Sequence, residues 1–180
     1  MTQDALEVKT IAPLQNVSLC LATLRRTMNR EPHLPGLVTF HGPSGYGKSW
    51  AATYAANKYR AYYVEAKSSW TKKALCLSIL KEMGIEPARQ IWEMEEQIGE
   101  QLALSQRPLI VDECDHIVAK NAIETIRDIY ESSQASIMLI GEERLPQKLE
   151  RWERLHGRML HWEPAEPASS DDARTLAGHY

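Results

Sequence analysis

The chain has 180 residues, 43% hydrophobic and 25% charged, with a formal net charge of −3. That length suits one domain or slightly more, and the composition excludes wholesale disorder. No apolar run approaches the ~18 residues of a membrane span, and the start MTQDALEVKT lacks the basic head and apolar stretch of a secretory leader; the expectation is a cytoplasmic protein with no membrane partner.

After the polar start, Leu14, Val17, Leu21, Leu24 and Met28 recur at helical spacing and predict a first helix, which ends in the breaker-rich NREPHLPG. GLVTFH reads as a buried strand and runs directly into the loop GPSGYGKS. Trp50, Ala51, Tyr54, Ala55 and Lys58 continue as one side of a helix, and residues 61–65, AYYVE, read as a second strand. From Trp70 to Met83 the apolar positions 75, 76, 79, 80 and 83 predict a helix that stops at Gly84, with Pro87 just beyond.

Ile91, Met94, Ile98 and Leu102 mark another helix, and PLIVDE is a compact apolar strand ending in two acids. Asn121 followed by Glu124 has the form of a capping pair for a helix whose buried stripe is Ala122, Ile126, Ile129 and Tyr130. SIMLIG is a fourth strand. Leu145, Leu149, Trp152 and Leu155 predict one helix opened by Pro146 and closed at Gly157, and MLHW a fifth strand. The tail EPAEPASSDDARTLAGHY becomes a Pro/Ser/Asp-rich linker, then begins a capped helix at Ser170, Asp171 and Asp172.

Strands alternating with helices predict a parallel sheet covered on both faces, a three-layer α/β/α arrangement. Cys20, Cys76 and Cys114 are odd in number and lack CxxC spacing, so they read as reduced thiols, two of them packed in helices. The small negative net charge gives no global attraction to nucleic acid; any such binding needs a local basic patch or the combined surfaces of several subunits.

Gly42-Pro43-Ser44-Gly45-Tyr46-Gly47-Lys48-Ser49 fits the spacing G-x-x-x-x-G-K-[ST] between a predicted strand and a predicted helix. Such glycines can serve only to turn a strand sharply into a helix, or they can let successive N–H groups converge on phosphate oxygens. The strand-loop-helix context favours the phosphate cradle. Lys48 then bridges the β and γ phosphates, the Ser49 hydroxyl binds Mg²⁺, and the helix N-terminus, with Trp50 at its edge, adds partial positive charge. Asp112 and Glu113 at the tip of PLIVDE supply the matching acids: Asp112 to hold Mg²⁺ through water, and Glu113 to activate a water against the γ-phosphate. Alone, such a pair also suits a solvated strand end.

Glycine loop, acid-tipped strand, further strand and arginine-bearing helix follow one another over residues 37–162 in an order that resembles the AAA+ ATPases. Within that family GPSGYGKSWAA, LIVDECDHI, LIGEERL, and RWERLHGRM followed by HWEPAEPASSDDARTLA are similar to the small transposition ATPases of the phage Mu B-protein type, relatives of the TniB, TnsC and IstB partners of transposases. The resemblance implies an AAA+ type P-loop NTPase fold with a five-stranded parallel sheet in the order 5-1-4-3-2. It implies ATP and Mg²⁺ as cofactors, with ATP bound between neighbouring subunits. The ATP-bound homo-oligomer would coat double-stranded DNA, deliver target DNA to a transposase and stimulate it. The expected division is an N-terminal helix and linker over 1–36, a nucleotide-binding core over 37–163, and a linker with the start of a truncated lid helix over 164–180. With the lid domain mostly absent, the chain is expected either to bind nucleotide weakly or to be the core of a longer protein.

The same resemblance implies an arginine finger near the end of the helix before strand five. Arg158 matches that position first, Arg154 second and Arg151 third; for each, the alternative is a surface arginine or an intrachain ion pair. At the end of strand four the family commonly places a neutral polar residue that senses the γ-phosphate, whereas this chain has Gly141-Glu142-Glu143. An acid there repels phosphate unless Mg²⁺ or an arginine intervenes, so Glu142 is a sensor candidate whose role stays open.

For DNA, the segment Lys67-Ser68-Ser69-Trp70-Thr71-Lys72-Lys73 follows the second strand, where DNA-handling rings of this family place a loop facing the channel. Lys67, Lys72 and Lys73 can neutralise phosphates and Trp70 can pack on sugar; a solvated helix start with Trp70 in the core accounts for them equally well. His116 and Lys120 make a fainter patch. Three functions remain open: an ATPase that assembles on DNA as a transposase-activating factor and hydrolyses weakly without DNA or its partner, a P-loop small-molecule kinase, and a helicase-loader type ATPase or nucleotide-bound scaffold.

Overall fold

The computed structural model describes residues 14–177. The polar start ahead of Leu14 and the last three residues of the tail lie outside the described residues. The elements in chain order are α1 (Gln15–Met28), β1 (Leu37–His41), α2 (Lys48–Tyr59), β2 (Tyr62–Glu65), α3 (Lys72–Met83), α4 (Ile91–Ser105), β3 (Leu109–Asp112), α5 (Asp115–Ala119), α6 (Ile123–Ser133), β4 (Ile137–Gly141), α7 (Leu145–Leu149), α8 (Glu153–His156), β5 (Met159–Pro164) and α9 (Ser170–Ala177). No described helix is long and apolar enough to cross a membrane.

The five strands form one parallel sheet in the order β2-β3-β4-β1-β5, which is the 5-1-4-3-2 arrangement read from the other edge. Strand side chains alternate between faces, and both faces are covered. Leu37, Leu109, Val111, Ile137 and Leu139 point into one core, with apolar residues of α3 to α8. Val38, Phe40, Ile110, Met138 and Ile140 point into the other, against α1 and α2. Burial on both sides is why these strands read as unbroken apolar runs. Helix α2 approaches the sheet on Ala51, Ala52 and Ala55, all fully buried; their small side chains let the helix backbone sit close behind the loop that precedes it.

Helix ends follow local chemistry. Thr71 accepts the Ala74 N–H through its side chain at 3.3 Å and starts α3, one residue after the predicted Trp70, and Gly84 ends it at φ +72°. In α4 the Glu93 carboxylate reaches back to the Gln90 N–H at 3.1 Å. The expected Asn121–Glu124 cap does not form. Asn121 instead sits at φ +56° and closes the short helix α5: its N–H donates to Val118 O, and the Ala122 N–H donates to Ile117 O at 2.8 Å. That is a Schellman ending with asparagine in the left-handed position. Helix α6 therefore starts from Ala122 with no side-chain cap.

The single helix expected over Leu145 to Leu155 is two, α7 and α8, with Trp152 non-helical at φ −101° and ψ 69° between them. Leu145, Leu149 and Leu155 are buried all the same, with Trp152 packed on their core. An apolar period records which side chains are covered and leaves backbone continuity open.

Tyr130 of α6 is buried, and its hydroxyl accepts the Gly36 N–H at 3.0 Å just ahead of β1. Tyr130→Phe strands that buried N–H and is expected to lower unfolding stability by about 1–3 kcal/mol. The check is the urea midpoint, which should fall at unchanged m value.

Candidate functional site

In a parallel sheet every strand ends at the same edge, and that edge carries most of the chemistry here. Between β1 and α2 the chain turns through residues 42–47. Gly45 and Gly47 lie at φ +83° and +74°, and a Cβ added to either meets nothing within 4 Å. Backbone angle, and not crowding, requires glycine at both positions. Gly42 is different: its Cβ would lie 3.0 Å from the Ala165 Cβ, so glycine there allows close approach by the chain after β5. Gly47 caps α2, whose first N–H groups have no partner within the helix and face the loop.

Lys48, the first residue of α2, folds over the loop and donates from Nζ to Gly42 O at 2.7 Å and Pro43 O at 2.8 Å. Partial burial lowers its pKa, while Glu113, Asp112, Asp115 and Glu142 raise it by their charge. The fold thus brings the predicted lysine into the field of the predicted acid pair. Ser44 and Ser49 are exposed and Pro43 and Tyr46 half-buried, while the Trp50 indole is 53% exposed on the outer side of α2.

Asp112 ends β3 and is buried. Its Oδ2 accepts the Tyr63 hydroxyl of β2 at 2.8 Å, and its Oδ1 accepts the Glu113 N–H at 2.8 Å. Burial and then Asp112 push the Tyr63 phenol well above its usual range, so it stays a donor. Glu113 stands at φ +53°, a conformation that costs a side-chain-bearing residue about 1–2 kcal/mol and that clusters at functional sites. The turn is fixed from behind, where the Cys114 N–H donates to Ile140 O at 2.8 Å. Burial, then Asp112, raise the Glu113 pKa above the ordinary carboxylate value of 4.5.

The end of β4 adds a network that spacing gave no hint of. Asp115, 9% exposed, accepts the Glu142 N–H at 2.7 Å on Oδ2 and the Lys148 ammonium at 2.6 Å on Oδ1. Lys148 also reaches the Glu142 carboxylate at 3.3 Å, and its pKa is raised, first by the hydrogen bond to Asp115. A Cβ on Gly141 would lie 2.3 Å from the Asp115 Oδ2, so glycine there makes room for the carboxylate. The Gly42 N–H donates to Gly141 O at 3.3 Å, tying this strand end to the glycine loop.

The arginines lie elsewhere. Arg158 immediately precedes β5 and its carbonyl accepts the Leu37 N–H at the start of β1, so it sits at the edge opposite the loop. Its guanidinium is held by Glu131 at 2.5 Å. Arg151 and Arg154, with Arg127, Glu124 and Trp152, line a cavity of about 320 Å³ beside α8. Arg151 also lines a second cavity with Asp115 and Lys148, and none of the three arginines is among the charges that shift Lys48. Lys67, Trp70, Lys72 and Lys73 follow β2 and so share the loop's edge; the three lysines are exposed, the turn is closed by the Trp70 N–H on Lys67 O at 2.9 Å, and Trp70 packs partly on the core.

Residues 21–149 match the model of a family described as AAA domain. No curated protein is a significant match to the chain. Among solved structures it is similar to the ADP form of the ORC2 protein of Aeropyrum pernix, with a TM-score of 0.75 at 14% identity over 96% of this chain and 54% of that one. The Walker-type ATPase PABY2304 of Pyrococcus abyssi aligns with a TM-score of 0.60 at 15% identity, over 88% and 56%. Cdc6p of Pyrobaculum aerophilum gives 0.59 at 13%, over 99% and 51%. The chain spans about half the length of these structures, and at such identities the likeness is one of fold.

The raised Glu113 pKa yields a stability prediction. Between about pH 4.5 and the folded-state value, the folded protein holds a proton that the unfolded chain has lost, so stability falls as pH rises through that window and stays lower above it. In chelator-containing buffer without nucleotide, Glu113→Gln removes that penalty and is expected to raise the unfolding midpoint at neutral pH. The gain should shrink to nothing toward pH 4, as read in thermal melts across pH.

Proposed function

The chain belongs to the AAA domain family, and from that premise we propose that it binds and hydrolyses Mg²⁺-bound ATP and acts by assembling on double-stranded DNA as a transposase-activating, target-DNA-delivery factor. One observation carries the ATPase reading: Lys48, at the head of α2, lies in the field of both Asp112 and Glu113 while its loop presents two left-handed glycines. The residues suit a magnesium-bound triphosphate. N–H groups of residues 44–49, at the turn of the loop and the start of α2, would be the donors to phosphate oxygens. Lys48, whose ammonium rests on loop carbonyls, would pair with the terminal phosphates when nucleotide is bound.

Among the described residues no three His, Cys, Asp or Glu side chains form a self-contained metal cluster. Mg²⁺ takes one or two protein oxygens together with phosphate and water; Ser49 and Asp112 would supply them here. Glu113, with its raised pKa and its place beside Asp112, is the general base for water, and that favours hydrolysis over transfer to a small-molecule acceptor. The ADP form of the similar ORC2 structure supports an adenine nucleotide.

The DNA and partner assignments rest on the resemblance to the transposition ATPases and on the exposed Lys67, Lys72 and Lys73 at the loop's edge. Assembly into an ATP-bound homo-oligomer rests on the same resemblance, in which an arginine near the start of β5, Arg158, Arg154 or Arg151, would reach a neighbour's nucleotide; Arg158 suits that role in lying at the sheet edge opposite its own loop.

Lys48→Ala is expected to weaken MgATP binding at least about 100-fold in calorimetry; undiminished affinity overturns the cradle. Glu113→Gln should keep MgATP affinity and slow phosphate release about 10²–10⁴-fold, with rapid turnover removing Glu113 from its role. Replacing Lys67, Lys72 and Lys73 together with Ala should flatten the plot of log affinity for duplex DNA against log salt by about one to three units. An unchanged slope moves the DNA surface elsewhere.

A further inference from the structure

Asn16, the second residue of α1, is 8% exposed and uses its whole side-chain amide. Its Nδ2 donates to Tyr46 O of the glycine loop at 2.7 Å and to Glu166 O at 2.8 Å, and its Oδ1 accepts the Glu166 N–H at 2.8 Å. One planar amide therefore pairs with the backbone of the chain after β5, as a neighbouring strand would, and has a single donor left for the loop. No other side chain of this size offers two donors and an acceptor in that arrangement.

The point gripped on the loop matters. Tyr46 stands between Gly45 and Gly47, both left-handed. In a planar trans peptide the carbonyl and the following N–H point in opposite directions. Drawing Tyr46 O back toward α1 therefore turns the Gly47 N–H the other way, toward the side that receives an anion. The segment after β5 is held to the same region at further points: Ala165 N–H to His41 O at 2.7 Å, the Ala165 Cβ close against Gly42, and Asp172 Oδ1 accepting the Gln15 N–H at 2.9 Å. Asp172 also fastens its own helix start, accepting the Ser169 N–H at 2.8 Å.

We infer that Asn16 is a positioning residue that sets the glycine loop for nucleotide through Tyr46 and couples its occupancy to the segment 165–172. The inference rests on the proposed reading of the loop as a nucleotide site. Coupling of this kind is reciprocal: a nucleotide that steadies the loop steadies the segment, and a loosened segment weakens nucleotide binding.

Asn16→Asp tests it, because the change keeps shape and the acceptor for the Glu166 N–H but removes both donors and sets a carboxylate against two carbonyls. MgADP and MgATP affinities are measured by calorimetry, and backbone hydrogen exchange over 165–172 is followed with and without each nucleotide. The parent should bind, and exchange in the segment should slow on binding. Asn16→Asp should unfold cooperatively, bind about 10-fold more weakly, and show no nucleotide response in the segment. Parental affinity, or a retained response, overturns the inference.

Should Asn16→Asp fail to fold, Asp172→Asn carries the test: it loosens the segment from α1 without touching the loop, and it should lower nucleotide affinity about 5-fold, with unchanged affinity overturning the coupling. A parent that binds neither nucleotide overturns the cradle and the coupling together, an outcome distinct from a binding parent whose variants behave alike.

Discussion

Strand β1 is hydrogen-bonded on both sides, to β4 in register from Leu37–Ile137 to His41–Gly141 and to β5 from Leu37–Met159 to His41–Pro164. That double pairing decides where the chemistry falls. Because β4 lies between β1 and β3, the glycine loop after His41 and the acids after Val111 flank the same strand end, and Gly141 with Glu142 fills the space between them. Because β5 is the other neighbour, the chain leaving it passes directly behind the loop, close enough for Ala165 to touch Gly42. A parallel sheet supplies this juxtaposition without any functional residue having to stabilise the fold, since both faces are already covered by apolar side chains.

The functional edge carries an unbalanced charge. Asp112, Glu113, Asp115 and Glu142 all act on Lys48, and Lys148 is a second cation ion-paired within the group. Each acid has its own means of support. Asp112 takes the Tyr63 hydroxyl and a backbone N–H, Asp115 takes Lys148 and the Glu142 N–H, and Glu142 shares Lys148. At Glu113, burial and then the charge of Asp112 outweigh the help of His116 and Lys48, and its proton affinity rises. The acid at the end of β4 that is hard to reconcile with a nearby phosphate is thus partly neutralised by Lys148. In the proposed reading the remaining surplus of negative charge is what a divalent cation and the N-terminus of α2 offset.

The fold was legible in the sequence wherever one residue type answers to one backbone requirement. Continuous apolar runs marked strands covered on both faces, and glycine loop, acid-tipped strand and helix spacing together announced the family's fold. Short-range rules failed where two served the same residue: Asn121 can begin a helix or end one, and the five-residue helix α5 was too short to show a period, so its terminator was read as a cap. Leu145, Leu149 and Leu155 kept a helical period across a break that buries the same three side chains. The groups around the site that went unseen are tertiary. Tyr63, Asp115, Lys148 and Asn16 find their partners across 49, 27 or 33, and 30 or 150 residues, and no spacing rule reaches that far. The likeness to transposition ATPases rests on short segments, and the match to an AAA domain reaches only the broader family.

The arginines give the sequence ranking a physical test. In the proposed reading a finger acts on a neighbour's γ-phosphate, so it must be able to leave its own chain. Arg158 is engaged: its Nε donates to Glu131 and its proton affinity is raised, first by that hydrogen bond. The pair is about half exposed, so water takes over either partner when it opens; even so, Arg158 has to exchange one carboxylate for another anion. Arg154 is exposed on α8 and, among the described residues, makes no hydrogen bond or ion pair, at the rim of a cavity it shares with Arg127 and Arg151. Glu124 and Glu153 line the same opening and Arg127 is paired with Asp128 at 2.8 Å, so the charges there are largely balanced, and Arg154 can turn outward without giving up a partner. In the proposed reading, position along the chain favours Arg158, which Glu131 holds, and the unpaired state of its guanidinium favours Arg154.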